Sequence, residues 1–234
     1  MSHLVKPPIP LAFYFDGADD HIKVVNVPVN TEPGSYNTIC FWMYWYGTLN
    51  QMPFGWNLAY DLWISSYNNF GFNTGGGDVY GIPNAQQKLA NKWVYICAIF
   101  PNEYPTYEPS LYINAEKQTL SLLQGSRNKR SCTTTLYISG WGVNTAYKFG
   151  GLISDFRAYN RVLTDVEINE LYNIRRDIKD GLILKLGIVG LVRGGGTQWL
   201  DESGYGNHGT VYGAIRVRCC HCNPVVRYGT ATPI

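Results

Sequence analysis

From Pro33 to Gln87 the chain carries only two formal charges, Asp61 and Asp78. Over all 234 residues charged side chains make up 15%, and 19 basic against 17 acidic groups leave a net charge of +2. So small a surplus is too weak to imply nucleic acid or an anionic membrane as the main partner, since both select for basic patches. Scarce charge here does not mean disorder, because hydrophobic residues reach 45% and a chain this long can bury a sizeable core. No apolar run approaches the ~20 residues of a spanning helix, so membrane insertion by helices is not expected. A secretory leader is not read either: Pro7, Pro8 and Pro10 precede an apolar stretch confined to residues 11–15. No Gly-x-Ser-x-Gly elbow is present for a serine nucleophile. After Glu202 there is no acidic residue, while Arg216, Arg218 and Arg227 remain, which reads as a solvated basic tail over 216–234.

The six cysteines are Cys40, Cys97, Cys132, Cys219, Cys220 and Cys222. Their many possible pairings cannot be resolved from spacing. Cys40 and Cys97 lie in apolar runs and read as small buried hydrophobes. Cys219, Cys220, His221 and Cys222 are consecutive, whereas structural zinc sites separate paired ligands by two to four residues. A disulfide or free thiols fit that end better than zinc.

Aromatics are abundant, with 7 Trp, 18 Tyr and 9 Phe beside 25 Gly and 12 Pro. Segments 11–15, 22–29, 38–46, 58–65, 93–100, 110–114 and 136–140 are rich in β-branched and aromatic residues and bounded by Gly, Pro, Asn and Asp, as strands are. Alternation in 38–46 puts Cys40, Trp42, Tyr44 and Tyr46 on one face and Phe41, Met43 and Trp45 on the other. Both faces are apolar, which suits a central strand covered on both sides or one showing an aromatic face to a partner. One helix is expected, from Asp165 to Arg176. Thr164 and Glu167 form a capping box, Leu163 and Ile168 a hydrophobic staple, and Ile168, Leu171 and Tyr172 a shared face. Arg175 and Arg176 are placed to favour the helix dipole. Many strands and one late helix predict an all-β, two-sheet sandwich.

The stretch Phe13 to Ile22, FYFDGADDHI, resembles the "FDGxDDYV" opening of laminin G-like modules in the concanavalin A-like lectin–glucanase superfamily. Residues 38–46 fall where that family has its "TISAWV" strand, 91–95 resemble "WHHVA", and 111–114 resemble "LYVNG". The segment 149–172 is similar to "NGLIDEVRIYNRALSDEEI", capped helix included. The resemblance spans about residues 13–173 and implies an antiparallel jelly-roll sandwich. Residues 180–184 and 201–211 resemble a family segment that normally precedes the "FDGxDD" motif, yet here they come last. Too few residues follow Lys179 for a second sandwich. The expected organisation is therefore one domain over 1–234: a laminin G-like core at 11–176, strands within 180–215 completing the same sandwich by circular permutation, and the tail.

The family also includes glycosidases, which need two carboxylates flanking the scissile bond. No alternating acid array such as Glu-x-Asp-x-x-Glu occurs, so catalysis is not expected. Modules of the family often hold one structural Ca²⁺, which takes six to eight oxygens. The positions matching its motifs offer Asp16, Asp19, Asp155, Asp201 and Asn207; the plainer reading has Asp16 and Asp201 capping turns and Asp155 pairing with Arg157 or Arg161. His208 reads as a turn hydrogen-bonding group. Fourteen aromatics fall between Tyr36 and Tyr80. Most should fill the core, but Trp56, Trp63, Tyr67 and Trp141 lie beside Gly- and Asn-rich loops and are the expected exposed rings for a ligand. Asn68, Asn69, Asn73 and Asn144 could bond its hydroxyls. Two functions compete: a non-enzymatic module binding a glycan or cell-surface protein, as in attachment, and a structural protein of a particle such as a virion, in which self-association would use the aromatic faces. An extracellular or virion-surface setting suits both.

Overall fold

The computed structural model describes residues 9–142 and 146–219. The strands begin with β1 (Leu11–Asp16), β2 (His21–Val24), β3 (Tyr36–Trp45), β4 (Gln51–Trp56), β5 (Asp61–Ile64) and β6 (Asn69–Asn73). After β7 (Val79–Pro83) come helix α1 (Ala85–Leu89), β8 (Trp93–Pro101), β9 (Ser110–Ile113), β10 (Glu116–Lys117), β11 (Ser121–Gln124) and β12 (Leu136–Ile138). The chain continues through β13 (Gly150–Tyr159), α2 (Asp165–Ile174), β14 (Leu182–Leu186), α3 (Ile188–Arg193), β15 (Gln198–Trp199), β16 (Gly209–Tyr212) and β17 (Ile215–Arg218).

Two antiparallel sheets pack face to face. One runs β10-β9-β8-β3-β13-β1-β17, with β14 also paired to β13; the other runs β11-β7-β6-β5-β4-β12-β2-β16-β15. β13 shares its second edge between two partners. Gly150–Ile153 pair with β1, and Phe156–Tyr159 pair with β14. Between them a bulge interrupts the register with β3 at Ser154/Arg157, and Asp155 sits at φ 48°. An extra residue there bends the strand where its neighbour changes. Late strands enter both sheets: β17 pairs with β1, and β16 pairs with β2. Arg216 and Arg218 thus lie in a strand, and the expected tail boundary at 216 is corrected to the end of β17. Cys220, His221, Cys222 and Arg227 lie outside the described residues.

The core follows the pleat. Ile39, Phe41, Met43 and Trp45 of β3 meet Phe54, Trp56, Leu62, Ile64, Phe70 and Phe72 from the opposite sheet. The other face of β3 is also buried: Cys40 and Trp42 pack with Tyr95, Cys97, Tyr112 and Tyr159 beneath Ile168 and Leu171 of α2. Burying each of those two aliphatic side chains contributes roughly 1.5–3 kcal/mol. The helix starts as its sequence predicts. Thr164 Oγ1 accepts the Glu167 N–H at 3.2 Å, and Glu167 Oε2 accepts the Thr164 N–H at 2.9 Å. Its end differs. Arg175 is the C-cap at φ 50°, so Arg175 and Arg176 fall beyond the last turn rather than in it. The segment expected at 58–65 is also corrected: residues 57–60 form the turn of the β4–β5 hairpin, with the Trp56 N–H donating to the Tyr60 carbonyl at 2.9 Å. Helices α1 and α3, of five and six residues, were not expected. They are too short to show a helical period.

Candidate functional site

On the nine-stranded sheet, Leu62 and Ile64 of β5 and Phe70 and Phe72 of β6 point into the core. The pleat therefore turns Asp61, Trp63, Gly71 and Asn73 outward. Gly55 of β4, opposite Asp61, also faces out. The β12–β13 loop lies directly on this surface: a Cβ built at Gly55 would stand 2.6 Å from the Trp141 Cα. Glycine is required there by close approach.

Backbone hydrogen bonds tie that loop to β4 and to the turn that follows it. The Gly140 N–H donates to the Met52 carbonyl at 2.8 Å, the Met52 N–H donates to the Tyr147 carbonyl at 2.7 Å, and the Leu58 N–H donates to the Trp141 carbonyl at 3.1 Å. Lys148, itself buried, braces the loop by donating to the Gly142 carbonyl at 3.0 Å. Burial pushes its ammonium down to about 8, against the opposing influence of Asp19.

The result is a groove of about 100 Å³ lined by Met52, Trp63, Asn73, Gly75, Gly77, Trp141 and Tyr147. The rings of Trp63 and Tyr147 meet edge-on, with centroids 6.0 Å apart. Trp63 Nε1 donates to Asn50 Oδ1 at 3.2 Å, which fixes the indole. Gly75 and Gly77 form the β6–β7 turn at φ 78° and 68°, and leave one wall free of side chains. Beneath the groove, Asn73 Nδ2 donates to both oxygens of the buried Asp61, at 3.1 and 3.0 Å. Burial raises the Asp61 carboxyl well above the usual carboxylate range, with Asn73 opposing and Asp78 adding to the shift. Asp78 Oδ1 accepts from the Thr74 N–H and Oγ1, both at 2.8 Å, and so closes the neighbouring turn.

Of the four expected ligand rings, Trp63 and Trp141 come together here. Tyr67 is 75% exposed but lies outside the lining. Trp56 is a correction: it is fully buried, edge-on to Phe54 at 5.1 Å and Phe100 at 6.0 Å, because it shares the inward face of β4 with Phe54. Among the asparagines, Asn68 accepts from the Gln86 N–H and Asn69 bonds Gln124, so both are committed elsewhere; Asn144 lies outside the described residues. Met52, Tyr147 and the two glycines escaped the sequence reading. Only the Gly75-Gly76-Gly77 run was visible as a signal.

The five expected calcium ligands do not converge. Asp155 forms an ion pair with Arg157 at 3.0 Å on the helix-covered face of the other sheet, so its charge is already matched. Asp201 accepts from the N–H groups of Lys185, Ser203 and Asn207, and closes its own turn. His208 Nδ1 accepts the Asp201 N–H at 3.0 Å. β16 runs antiparallel to β2 with Tyr212 opposite His21, so this turn and the Asp16–Asp19 turn reach opposite ends of β2. Asp16 and Asp19 do approach each other, and Asp20 joins them, their carboxylate oxygens all within 4.8 Å. Burial is the main reason the Asp20 carboxyl is raised to about 6; the Asp16 and Asp19 charges add to it, and the Asp16 N–H opposes it.

Residues 16–169 match a laminin G model described as the concanavalin A-like lectin/glucanases superfamily. The chain belongs to this superfamily. No curated protein matches the sequence. Among solved structures, a candidate carbohydrate-binding protein from Bacteroides ovatus is similar at TM-score 0.66 and 20% identity, over 92% of this chain and 60% of that one. This lectin-like sandwich therefore spans about three-fifths of that protein's length. Domain 4 of an extracellular arabinanase from Geobacillus stearothermophilus, solved with arabinotriose, gives TM-score 0.48 at 15% identity, over 72% and 79% of the two chains. A heptameric pentraxin from Limulus polyphemus gives 0.47 at 12% identity, over 71% and 85%.

Proposed function

We propose that this chain is a non-enzymatic recognition module whose groove over β4–β6 binds a glycan, free or carried by a cell-surface partner, as an attachment protein would. One observation carries the reading: Trp63, Trp141 and Tyr147 converge on one pre-organised groove beside Asn73. Rings of this kind stack on the apolar faces of sugars, and a few fixed polar groups set orientation. The similarity to the Bacteroides protein, a candidate carbohydrate-binding protein, supports the same class. Among the described residues the lining has no carboxylate, whereas glycosidases place two beside the bond they cut.

A glycan array followed by titration of the strongest hit tests the proposal. Binding is expected for the wild type and weakened in Trp63→Ala and Tyr147→Ala, with melting temperatures retained. Binding that persists unchanged in both variants removes the groove as its site. A second reading, a structural subunit of a particle such as a virion, draws on the partly exposed Tyr14, Tyr46 and Trp93 around Tyr44 on the other sheet. A silent array together with self-assembly on a sizing column would favour it.

The calcium proposal narrows to Asp16, Asp19 and Asp20, three of the six to eight oxygens that such an ion takes. Calcium should raise the melting temperature and chelator lower it; equal melting in both buffers removes the ion.

A further inference from the structure

We propose that Cys40 and Cys97 are a disulfide-forming pair that clamps β3 to β8 and closes a covalent loop around the strands of the groove. The two residues are directly opposed in the antiparallel register. Directly opposed residues in such a pair have Cα atoms about 4.5–5.5 Å apart, inside the range a disulfide spans. Their sulfurs lie 2.8 Å apart, and both side chains are fully buried. Cys132, by contrast, lies in the main core near Tyr60 and Asn37.

The sulfurs lie among Trp42, Tyr95, Tyr112 and Tyr159 under helix α2. Burial holds the Cys97 thiol well above its ordinary value, with Cys40 beside it adding to the shift. Thiol–disulfide exchange needs a thiolate and an open path, so the folded protein resists both oxidation and reduction. The bond therefore forms while the chain folds. Its balance is simple. A small disulfide such as oxidised glutathione accepts two electrons from the two thiols, the Cys40–Cys97 bond forms, and two protons leave with the two glutathione thiols.

Cys40 and Cys97 are 57 residues apart, and the closed loop contains all of β4 to β7, hence Met52, Trp63, Asn73, Gly75 and Gly77. A cross-link over such a loop restricts the unfolded chain and shifts the equilibrium towards the folded sheet.

The test is peptide mapping of the full chain, refolded from denaturant in a glutathione redox buffer, alkylated in denaturant and digested without reductant. A Cys40-peptide linked to a Cys97-peptide is expected. Refolding with a phosphine reductant instead should lower the melting temperature by roughly 10 °C. That redox shift should vanish in Cys40→Ala/Cys97→Ala and persist in Cys132→Ala. Recovery of Cys40 and Cys97 as separately alkylated peptides, or cross-linked to other cysteines, from protein with native circular dichroism would overturn the proposal.

Discussion

The two sheets of this sandwich carry comparable aromatic outer surfaces and treat them differently. On the eight-stranded sheet, Trp42, Tyr95, Tyr112 and Tyr159 are sealed under the apolar face of α2. On the nine-stranded sheet, Trp63 is met by a hydrogen-bonded loop that brings Trp141 and Tyr147, and by a glycine turn, which together leave a groove. A helix brings a continuous apolar stripe and buries what it covers. A loop held by its backbone covers only the strip that it touches, here at Gly55, and leaves the space beside it as a groove. The same residue types thus become core on one sheet and a candidate binding surface on the other, according to what lies on top.

The harshest way to break this comparison is to remove everything after Lys179. Both sheets then lose strands: β14 from β13, β17 from β1 and β16 from β2. Open edges and an uncovered core follow. The truncated chain should aggregate or unfold without cooperativity, and a soluble form with the full-length melting transition would contradict the shared sandwich.

A sharper version compares two tryptophans on the adjacent strands β4 and β5. Trp56→Ala should destabilise by about 3–5 kcal/mol, as large core truncations do. Trp63→Ala should leave chemical denaturation almost unchanged while weakening glycan binding by about 2 kcal/mol, the scale of a hot-spot side chain. Similar denaturation midpoints for the two variants would erase the distinction between core and groove rings.

The helical cover can be loosened at its start. Thr164→Ala removes one half of the capping box and should destabilise by roughly 0.5–2 kcal/mol, with Thr164→Ser close to wild type. A null result for alanine would mean that packing of Ile168 and Leu171 holds the helix without its cap.

The smallest effect is expected at Asp20, a buried carboxyl between β1 and β2 that accepts the Asp16 N–H at 2.9 Å. Its folded-state value is raised from 3.8 to about 6, so the folded chain binds this proton more tightly than the unfolded one. Stability should therefore fall as pH rises through that interval. In calcium-free buffer Asp20→Asn should flatten this slope and raise the melting temperature at pH 7. A steeper slope in the variant would refute the assignment.

Much of this was readable beforehand, for local reasons. The capping box needs only Thr164 and Glu167 three residues apart, and the doubly apolar β3 shows itself through simple alternation. The candidate site was half legible. Trp63 and Trp141 stood out beside glycine- and asparagine-rich stretches, but Trp56 did so equally, and only the phase of the pleat separates it from Trp63. Nothing local in Tyr147 marked it as a partner of Trp63, since it comes from a loop between distant strands. The calcium set is divided for a related reason: motif positions carry types of residue, whereas the opposite ends of β2 are set by strand pairing.

By itself, then, the sequence determined the class of fold, the capped helix and the pool of rings from which a site could be drawn. These depend on periods and spacings within a few residues. The tertiary structure decided which ring faces water, which carboxylates meet, which cysteines oppose each other and which sheet face lies under a helix. Those outcomes depend on register between segments far apart in the chain, where a shift of one residue turns every side chain to the other face.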